Sequence, residues 1–257
     1  MRMIRSSLLS SIDPIIRLQT FLRTIAAAGR EVVRVPPFTA TFASDDSLKY
    51  LNYAIPDDGA EPDAAAIEQL REAFRAHERL PRLEWIEEAA PRVAEALGAA
   101  GMEEELRTPL MACAPDDLVE AEARVEKLTV APVGPDDLRE ATDIMRVAFG
   151  GAPLAAGEEP RAPRGGAVLA RSAGTPVSAA MWTPVSDGIS EIVGVATAED
   201  WRRRGLAGVV TAAATHAAFE AGAVFGVLSP GDDTAQRVYA RAGYRRVATM
   251  LHWSDPS

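Results

Sequence analysis

The 257-residue chain contains one cysteine and three histidines, His77, His216 and His252, which lie far apart. A single cysteine excludes an intrachain disulfide framework and a cysteine-rich metal site. Three scattered histidines argue against a zinc site, so we expect no metal. Nothing near Cys113 in the sequence would lower the pKa of its thiol, and we interpret it as a small buried apolar residue rather than a nucleophile.

The sequence also lacks an excess of positive charge and any long apolar run. Its formal net charge is −10, whereas a general nucleic-acid binder usually carries a basic face. No segment is long and apolar enough to span a membrane. Asp13 and Arg17 interrupt the basic, apolar N-terminus, which predicts an amphipathic helix over about 11–28 rather than a signal peptide. We therefore expect a cytoplasmic protein with neither nucleic acid nor a membrane as partner.

The hydrophobic fraction of 47% is enough for one large domain or two modest ones. In the first half, the β-rich segments "REVVRVPPFTATFAS" and "LKYLNYAIP", separated by "DDS", predict a hairpin. Helix, strand, short helix and strand follow, in "AAAIEQLREAFRAHE", "LPRLEWI", "APRVAEALGAAG" and "EEELRTPLMAC". The pattern over 126–257 predicts the order β-α-β-β-β-α-β-α-β. These two patterns predict one domain over 1–125 and a second over 126–257.

The stretch "VGVATAEDWRRRGLAGVV" in the second half places three consecutive arginines in a Gly-x-x-Gly turn between a strand and a helix. The first N–H groups of a helix have no partners inside the helix, and the helix dipole is positive there, so such an end can bind phosphate. Gly205 and Gly208 lack a Cβ, which would let the oxygens of a ligand approach the backbone. Basic residues near a helix start are also commonly solvated, so this turn alone leaves both interpretations open.

Two patterns in the second half favour the phosphate-binding interpretation of this turn. Arg202-x-x-Gly205-x-Ala207, between a fourth strand and a following helix, resembles the Arg/Gln-x-x-Gly-x-Gly/Ala signature of the GNAT superfamily of acyl-CoA-dependent N-acyltransferases. The downstream "DDTAQRVYARAGY" resembles that family's later helix, where an Asn-x-x-Ala-x-x-x-Tyr pattern is usual. The resemblance covers the C-terminal half. It implies an α+β fold with a mixed, mostly antiparallel sheet flanked by helices, and acetyl-CoA as co-substrate.

The resemblance also implies roles for individual residues. The backbone of Val195 to Thr197 would pair with the pantetheine arm, and the amides of 203–208 would wrap the pyrophosphate. Tyr239 would donate a proton to the departing thiolate. Asp233 stands where asparagine is frequent. The implied cofactor-binding residues are Val195, Ala196, Thr197, Arg202, Arg203, Arg204, Gly205, Leu206, Ala207, Gly208, Asp233 and Ala235.

The chemistry of acyl transfer and the resemblance bear on four residues, of which Glu191 and Trp182 are new. The N–H of Val195 is our candidate for polarising the thioester carbonyl. Glu191 resembles the general base of some family members, although a solvated carboxylate at a strand end fits equally well, and strand alternation would put Glu191, Val193 and Val195 on one face. Tyr239 also fits an apolar helix face, where it would be a core residue. Trp182 could line the acceptor side or belong to the core.

An internal repeat relates the two halves. "RVAEALGAAGM" aligns with "TAQRVYARAGY", which places Gly101 on Gly243 and Leu97 on Tyr239, although any short helix that ends in glycine would align as well. The counterpart of the arginine turn is "IPDDGAEPDAAAIEQ", whose loop 57–63 has four acidic residues and no arginine. Carboxylates there would repel a pyrophosphate. We therefore expect a degenerate, non-catalytic GNAT-like half that completes the sheet, walls the acceptor cleft or mediates dimerisation; an unrelated small α+β domain is the alternative.

Two functions follow from these patterns. The leading hypothesis is an N-acetyltransferase that moves an acetyl group from acetyl-CoA to a primary amine of a small molecule or protein, by direct attack in a ternary complex. The alternative is a non-catalytic module that senses acyl-CoA or another nucleotide. A purely structural protein would not need an arginine turn or a tyrosine hydroxyl at this position. The acceptor would be bound near the loop "GGAPLAAGEEPRAPRGG", whose composition does not indicate which amine it is.

Overall fold

A computed structural model describes residues 13–44 and 51–256 of the chain. It divides into two compact units, one formed by Met1–Pro109 with Ala248–Ser257 and the other by Leu110–Val247. The start of the predicted N-terminal helix and the "DDS" turn of the predicted hairpin lie outside the described residues. No helix within the described ranges is both long and apolar enough to cross a membrane.

The first unit combines a sheet with three helices among its described residues. Its strands run in the order β1-β2-β3-β4-β11, and all neighbours are antiparallel except the parallel pair β3 and β4. In chain order the elements are α1 (Pro14–Ala27), β1 (Glu31–Val35), β2 (Phe38–Phe42), β3 (Tyr53–Pro56), α2 (Ala64–Ala76), β4 (Arg82–Ile86), α3 (Val93–Ala99) and β5 (Glu103–Cys113), with the later β11 (Arg245–Ser254). Strands β5 and β11 each have residues assigned to both units.

The prediction of one strand for "REVVRVPPFTATFAS" was wrong, because this segment forms the antiparallel pair β1 and β2. The two strands meet at Pro36 and Pro37, and the register runs from Val35↔Phe38 outward. Proline has no N–H and a fixed φ, so two consecutive prolines interrupt the strand ladder and favour a turn. The β-branched residues on both sides concealed this turn in the sequence.

The core of the first unit confirms the helical spacing predicted for α2, since Ile67, Leu70 and Phe74 are all buried. These side chains pack in one cluster with residues of the sheet and of α3. The largest fully buried members include Phe38, Leu83, Trp85 and Leu97. Leu97, the residue aligned with Tyr239, is therefore a core residue of this unit.

The second unit follows the predicted order closely. From residues 110–113 of β5, the strands lie in the order β5-β10-β9-β8-β7-β6; the pair β9 and β10 is parallel and the other pairs are antiparallel. In chain order the elements are β6 (Leu128–Pro132), α4 (Leu138–Ala148), β7 (Gly166–Ser172), β8 (Thr175–Trp182), β9 (Ile189–Thr197), α5 (Leu206–Glu220), β10 (Phe225–Leu228), α6 (Asp233–Arg241) and the start of β11. The sheet is thus mixed and mostly antiparallel, as expected.

Helices cover both faces of this second sheet. Helix α5 buries Leu206, Val210 and Ala214 in a large cluster that also contains Tyr239 of α6. Helix α4 buries Ala141 and Met145 in a separate, smaller cluster. Most of the residues of α5 that face the sheet are alanine, glycine or valine, which lets the helix axis approach the sheet closely.

Cys113 is buried at the end of β5, and its thiol lies 3.4 Å from the carbonyl oxygen of Ala114. Burial raises the pKa of this thiol to about 11, with a further contribution from the charge of Asp117. The thiolate is therefore scarce at neutral pH, and the interpretation of Cys113 as a structural residue is confirmed.

Candidate functional site

Strand β9 extends past the end of its parallel neighbour. The register of β9 with β10 runs from Phe225↔Ile189 to Val227↔Glu191, and β10 ends at Leu228. Strand β9 continues to Thr197. Residues 192–197 therefore have no strand partner on that side within the described part of the chain, while β8 pairs with them on the other side. Such an edge offers backbone N–H and C=O groups to an extended ligand.

A β-bulge interrupts β9 within this stretch. Met181 lies opposite Val193 and Ala179 lies opposite Ala196, so Gly194 and Val195 together face the single residue Ala180. Gly194 has a φ of 63°, and a Cβ there would lie 2.8 Å from the Met145 and Met181 side chains. The positive φ favours glycine here, and any larger residue would also displace the ends of the two methionine side chains. A bulge redirects the backbone locally, and it does so here at the amide predicted to polarise the thioester.

The bulge corrects the predicted alternation of β9. Val195 packs with the cluster that contains Ile192, so its side chain shares the face of Ile192. Val193 lies next to Ile192 in regular strand, so it points to the opposite face, as Glu191 does. The prediction that Glu191, Val193 and Val195 share one face was therefore wrong for Val195, because the extra residue reverses the alternation after Val193.

The turn between β9 and α5 begins with a single 3-10 turn, Glu199–Trp201, and ends at Gly205, the N-cap residue of α5. Arg203 and Gly205 have positive φ values of 63° and 90°. No side chain caps the helix, and the amide nitrogens of residues 203–208 donate to no acceptor within the described ranges. Left-handed residues beside a helix start turn successive N–H groups toward one concave surface, a geometry that suits anions.

The three arginines of the turn are exposed and form no ion pair within residues 13–44 and 51–256. Arg204 stacks on the Trp201 ring, with its guanidinium carbon 4.7 Å from the ring centroid, and donates to the carbonyl oxygen of Asp200. Arg202 donates weakly to the carbonyl oxygen of Thr197 over 3.4 Å. In a chain with a net charge of −10, three adjacent arginines without a carboxylate partner form a local cationic site.

The glycines of the turn have a packing role that the sequence did not suggest. A Cβ on Gly205 would lie 2.4 Å from the carbonyl oxygen of Glu122, and one on Gly208 would lie 3.1 Å from the Cβ of Ala121. The Arg124 amide also donates to the carbonyl oxygen of Arg204 over 2.8 Å. We call residues 121–124 the crossing segment. It occupies the space where a Cβ would lie, so packing against this segment is one reason for glycine at both positions. Approach of ligand oxygens to the amides of the turn stays a prediction.

Tyr239 lies on the buried face of α6 and is only 8% exposed. Burial, with a smaller effect from Asp232, raises the pKa of its phenol to about 12. Its hydroxyl has no hydrogen-bond partner among the described residues, whereas the neighbouring Tyr244 shares a 2.6 Å hydrogen bond with Thr215. Tyr239 thus combines a core ring with a hydroxyl that has no partner among the described residues. Its packing in the core is confirmed, and its role as a proton donor stays a prediction.

The start of α6 is capped by the side chain of the residue that precedes the helix. Asp232 is the N-cap residue, and its carboxylate accepts from the amide of Ala235 over 2.7 Å. The amide of Ala235 is therefore already used, so a cofactor contact from this residue would come from its other atoms. Asp233 is the first residue of the helix and is exposed.

The remaining candidates are mostly held by the sheet. The backbone of Glu191 forms two hydrogen bonds with Thr183, since its amide donates to the Thr183 hydroxyl and its carbonyl oxygen accepts from the Thr183 amide. The Thr197 hydroxyl lies 2.9 Å from that of Ser178. The ring of Trp182 packs over Gly166, where a Cβ would lie 2.2 Å from it, and belongs in part to the large cluster. Trp182 is therefore mainly a packing residue.

Several residues of the site were missed in the sequence. The bulge could have been inferred from Gly194, since a glycine inside a strand often marks one. Asp232 could have been predicted as the N-cap of α6, because aspartate is favoured at that position and accepts a hydrogen bond from the amide three residues later. The crossing segment left no local signal, because its contacts with the turn join residues about eighty positions apart. Within the described residues no cluster of three or more His, Cys, Asp or Glu side chains could hold a metal ion.

Comparison with known proteins agrees with this geometry. The model of a family described as FR47-like protein matches residues 169–253, which include β9, the arginine turn and α6. A GCN5-related N-acetyltransferase from Kribbella flavida is 35% identical over 96% of this chain and 97% of its own, with a TM-score of 0.82. The chain therefore belongs to the GCN5-related N-acetyltransferase (GNAT) family, and the predicted fold is confirmed.

Two more distant structures share the fold alone. A functionally unknown conserved protein from Staphylococcus epidermidis is 14% identical, with a TM-score of 0.64 over 91% of this chain and 96% of its own. A tandem GNAT protein from the clavulanic acid biosynthesis pathway is also 14% identical, with a TM-score of 0.56 over 86% of this chain and 79% of its own. No curated protein sequence matches the chain.

Proposed function

We propose that the second unit is an N-acetyltransferase that uses acetyl-CoA and acetylates a primary amine by direct attack in a ternary complex. The observation that carries this proposal is the start of α5 in an acidic protein. Uncapped amides coincide there with three arginines that form no ion pair with any described residue. These groups fit a diphosphate, which accepts hydrogen bonds from backbone amides and arginine. When bound, acetyl-CoA supplies the activated thioester; the chain supplies binding, orientation and proton transfer.

The extended edge of β9 would orient the pantetheine arm. Residues 195–197 present backbone groups on the side where β10 has ended. The N–H of Val195, redirected by the bulge, is the proposed donor to the carbonyl oxygen of the thioester. A fixed donor of this kind stabilises developing negative charge without reorganisation.

Tyr239 is the proposed general acid at the departing sulfur. Its pKa of about 12 keeps the hydroxyl protonated at neutral pH, so the proton is available when the thiolate leaves. Glu191 is the proposed group that accepts the proton of the amine. Its side chain lies on the opposite face of β9 from the cluster that contains Tyr239, so a reacting carbonyl beyond the end of β10 would be approached from both faces.

The first unit is proposed to be a degenerate, non-catalytic GNAT-like half. At its counterpart of the arginine turn, Asp57 pairs with Arg34 and Asp58 pairs with Arg23, while Asp63 caps α2. Its counterpart of Tyr239 is the buried Leu97, which has no proton to give. These residues therefore offer a cofactor neither an unpaired cationic side chain nor a general acid. The domain boundary after residue 125, a homodimer and a cytoplasmic location stay predictions.

Calorimetric titration with acetyl-CoA tests the proposal most directly. We expect saturable binding by the parent protein and at least a hundredfold weaker binding by the double variant Arg203→Glu, Arg204→Glu, because two charges are reversed at the diphosphate. The matched control is Arg245→Glu, Arg246→Glu, another exposed pair of consecutive arginines in the second unit. It should keep the parent affinity. No binding by the parent protein would refute the proposal.

Binding alone would leave the alternative of an acyl-CoA sensor. An assay of released thiol against a panel of primary amines separates the two functions, because only the enzyme consumes acetyl-CoA in proportion to acceptor. Binding without amine-dependent thiol release by any member of the panel would favour the sensor. Panels of small amines and of peptides with lysine or a free amino terminus would define the acceptor class.

A further inference from the structure

Residues of β6, β7 and α5, together with residues 118, 120 and 121, form a surface groove in the second unit. Its volume is about 420 Å³, and most of its wall is alanine and valine, as at Val130, Val168, Val209 and Ala213. Among the described residues, none of β9, of the arginine turn or of α6 lines it. The groove is therefore separate from the groups proposed to hold acetyl-CoA.

The outer edge of β6 borders this groove and has unused backbone groups. Within the described part of the chain β6 is the last strand of the sheet, and β7 alone pairs with it. The Val133 amide donates to a carbonyl oxygen of β7, and the Lys127 carbonyl accepts from the residue just after β7. Hydrogen bonding alternates along an antiparallel pair, so the N–H and C=O groups of Leu128 and Val130 point outward. No residue in 13–44 or 51–256 bonds to them.

The side chains of β6 do not protect this edge. Charged residues on an edge strand discourage pairing with another chain, and β1, the edge strand of the first unit, carries Glu31 and Arg34. The five residues of β6, "LTVAP", include no charge. Pro132 stands at an outward-facing position, where proline costs no bond to β7. It ends the row of free N–H groups but leaves its own C=O available, so β6 can accept an added strand.

The polar side chains of the groove are acidic. Glu120 and Glu220 line it, and no lysine or arginine of the described chain does. The remaining titratable group is His216, whose Nδ1 lies 3.8 Å from the Glu220 carboxylate. These carboxylates favour a basic ligand. They disfavour a second copy of this chain, which would bring the same acidic groove and a formal net charge of −10.

We propose that β6 binds an extended basic peptide, which adds a strand to the sheet. The backbone groups of Leu128 and Val130 bind the main chain of the peptide. Peptide residues opposite these two have their side chains on the α5 face, because directly opposed residues share a face of the sheet. Apolar side chains in that row enter the groove, and an arginine or lysine at either end of the row reaches Glu120 or Glu220. This recognition site does not depend on acetyl transfer.

Nuclear magnetic resonance of the full chain tests the proposal with one defined probe, the peptide acetyl-Arg-Thr-Val-Thr-Val-Thr-Arg-amide. The probe has no primary amine, so it cannot be an acceptor of an acetyl group. We expect saturable shifts centred on the amides of Leu128 and Val130, and hydrogen exchange of these amides slowed by about tenfold or more. The amides of Thr129 and Ala131 face β7 and should keep their exchange rates. No saturable shift at β6 would refute the proposal.

Two altered peptides test the chemistry of recognition. The charge-reversed peptide, with glutamate in place of both arginines, should bind about tenfold more weakly or less. N-methylation of both valines should abolish binding, because it removes the N–H groups that face β6. Equal binding of the basic and acidic peptides would overturn the charge assignment, and unchanged binding after N-methylation would exclude strand addition.

Variants of the protein locate the contacts. Glu120→Gln, Glu220→Gln should weaken probe binding roughly tenfold and make it less sensitive to salt. The matched control is Asp136→Asn, Glu159→Gln, two exposed carboxylates of the second unit outside the groove. It should bind like the parent. An equal loss in the control would show that net charge, and not the groove, attracts the peptide.

The backbone variant Val130→Pro removes an outward N–H that β7 does not use. It should lose probe binding and keep the acetyl-CoA affinity of the parent. If it fails to fold, the carboxylate variants still decide. Sedimentation tests the other occupant: a dimer in which Leu128 and Val130 are protected without peptide, and which Val130→Pro dissociates, would place a second copy at this edge and overturn the proposal.

Discussion

The starts of α2 and α5 each follow a strand, yet their polar groups are satisfied in opposite ways. At α2, Asp63 caps the amide of Ala66, and the preceding aspartates pair with arginines of the same unit. At α5 no side chain caps the helix, and the arginines have no carboxylate partner in the described part of the chain. A helix start that is closed by its own residues serves stability, whereas one left open to an anion can serve binding.

The largest expected effect comes from the glycines of the two turns. Gly59 and Gly205 both have positive φ, but a Cβ on Gly59 meets nothing within 4 Å, whereas one on Gly205 lies 2.4 Å from the carbonyl oxygen of Glu122. Gly59→Ala should cost about 1–2 kcal/mol of unfolding free energy. Gly205→Ala should cost about 2–5 kcal/mol, since overpacking against the backbone adds to the strain.

Urea unfolding of both variants measures this difference, and titration with acetyl-CoA measures its consequence. Gly205→Ala should also weaken binding, because the backbone of the cationic turn must shift. Equal losses of stability in the two variants would contradict the role of the crossing segment at Gly205.

The next largest effect concerns the tyrosines. Tyr239→Phe should lower kcat by about a hundredfold, the contribution typical of a general acid, with little change in acetyl-CoA affinity. Tyr244→Phe is the matched control, since its hydroxyl is committed to Thr215. It should cost about 1 kcal/mol of stability and leave kcat unchanged. Steady-state kinetics with a saturating amine measures kcat for both variants. An unchanged kcat in Tyr239→Phe would remove this residue from the mechanism.

A smaller effect is expected at the cap of α2. Asp63→Ala should reduce the unfolding free energy by about 1 kcal/mol, the usual cost of losing an N-cap, because the amide of Ala66 loses its acceptor. Affinity for acetyl-CoA should stay at the parent value. A parallel fall in affinity would show that the start of α2 contributes to cofactor binding and would weaken the contrast between the two helix starts.

The last prediction concerns pH, and here no change in kcat is expected from Tyr239. Burial first, and the charge of Asp232 second, raise the pKa of Tyr239 to about 12, so the folded protein favours the neutral phenol. The stability from this group is fully present below about pH 10, the unfolded value, and is lost as the pH rises toward 12. The pH profile of kcat should therefore show no alkaline decline from Tyr239 below about pH 10. A decline that disappears in Tyr239→Phe would contradict its burial.

Much of the second unit could be predicted from local patterns. The β-branched run of β9, the alanine-rich α5 and the apolar face of α6 each have the periodicity of their element, and their order resembled one family. The beginning of the first unit was harder to predict. The residues on both sides of Pro36 and Pro37 have the same β-branched pattern, so the turn between β1 and β2 was concealed.

What the sequence could not provide depends on contacts between distant residues. Gly194 follows the strand alternation in the sequence, but its bulge reverses the face of Val195 through pairing with β8. Gly205 belongs to the family signature and Gly208 follows it, yet a Cβ on either residue would meet Glu122 or Ala121. The contact of Arg204 with the Trp201 ring was also not predictable, because only the folded turn brings the two side chains together.

The crossing segment has a practical consequence for dissecting the protein. A fragment that begins at residue 126, after the boundary expected from the sequence, would lack the backbone groups of Glu122 and Arg124 that contact Gly205 and Arg204. Its cationic turn would lose the neighbour against which it is shaped, even though every residue of the family signature would still be present. A fragment meant to keep this turn intact should therefore begin before β5 ends, so that residues 121–124 stay joined to the second unit.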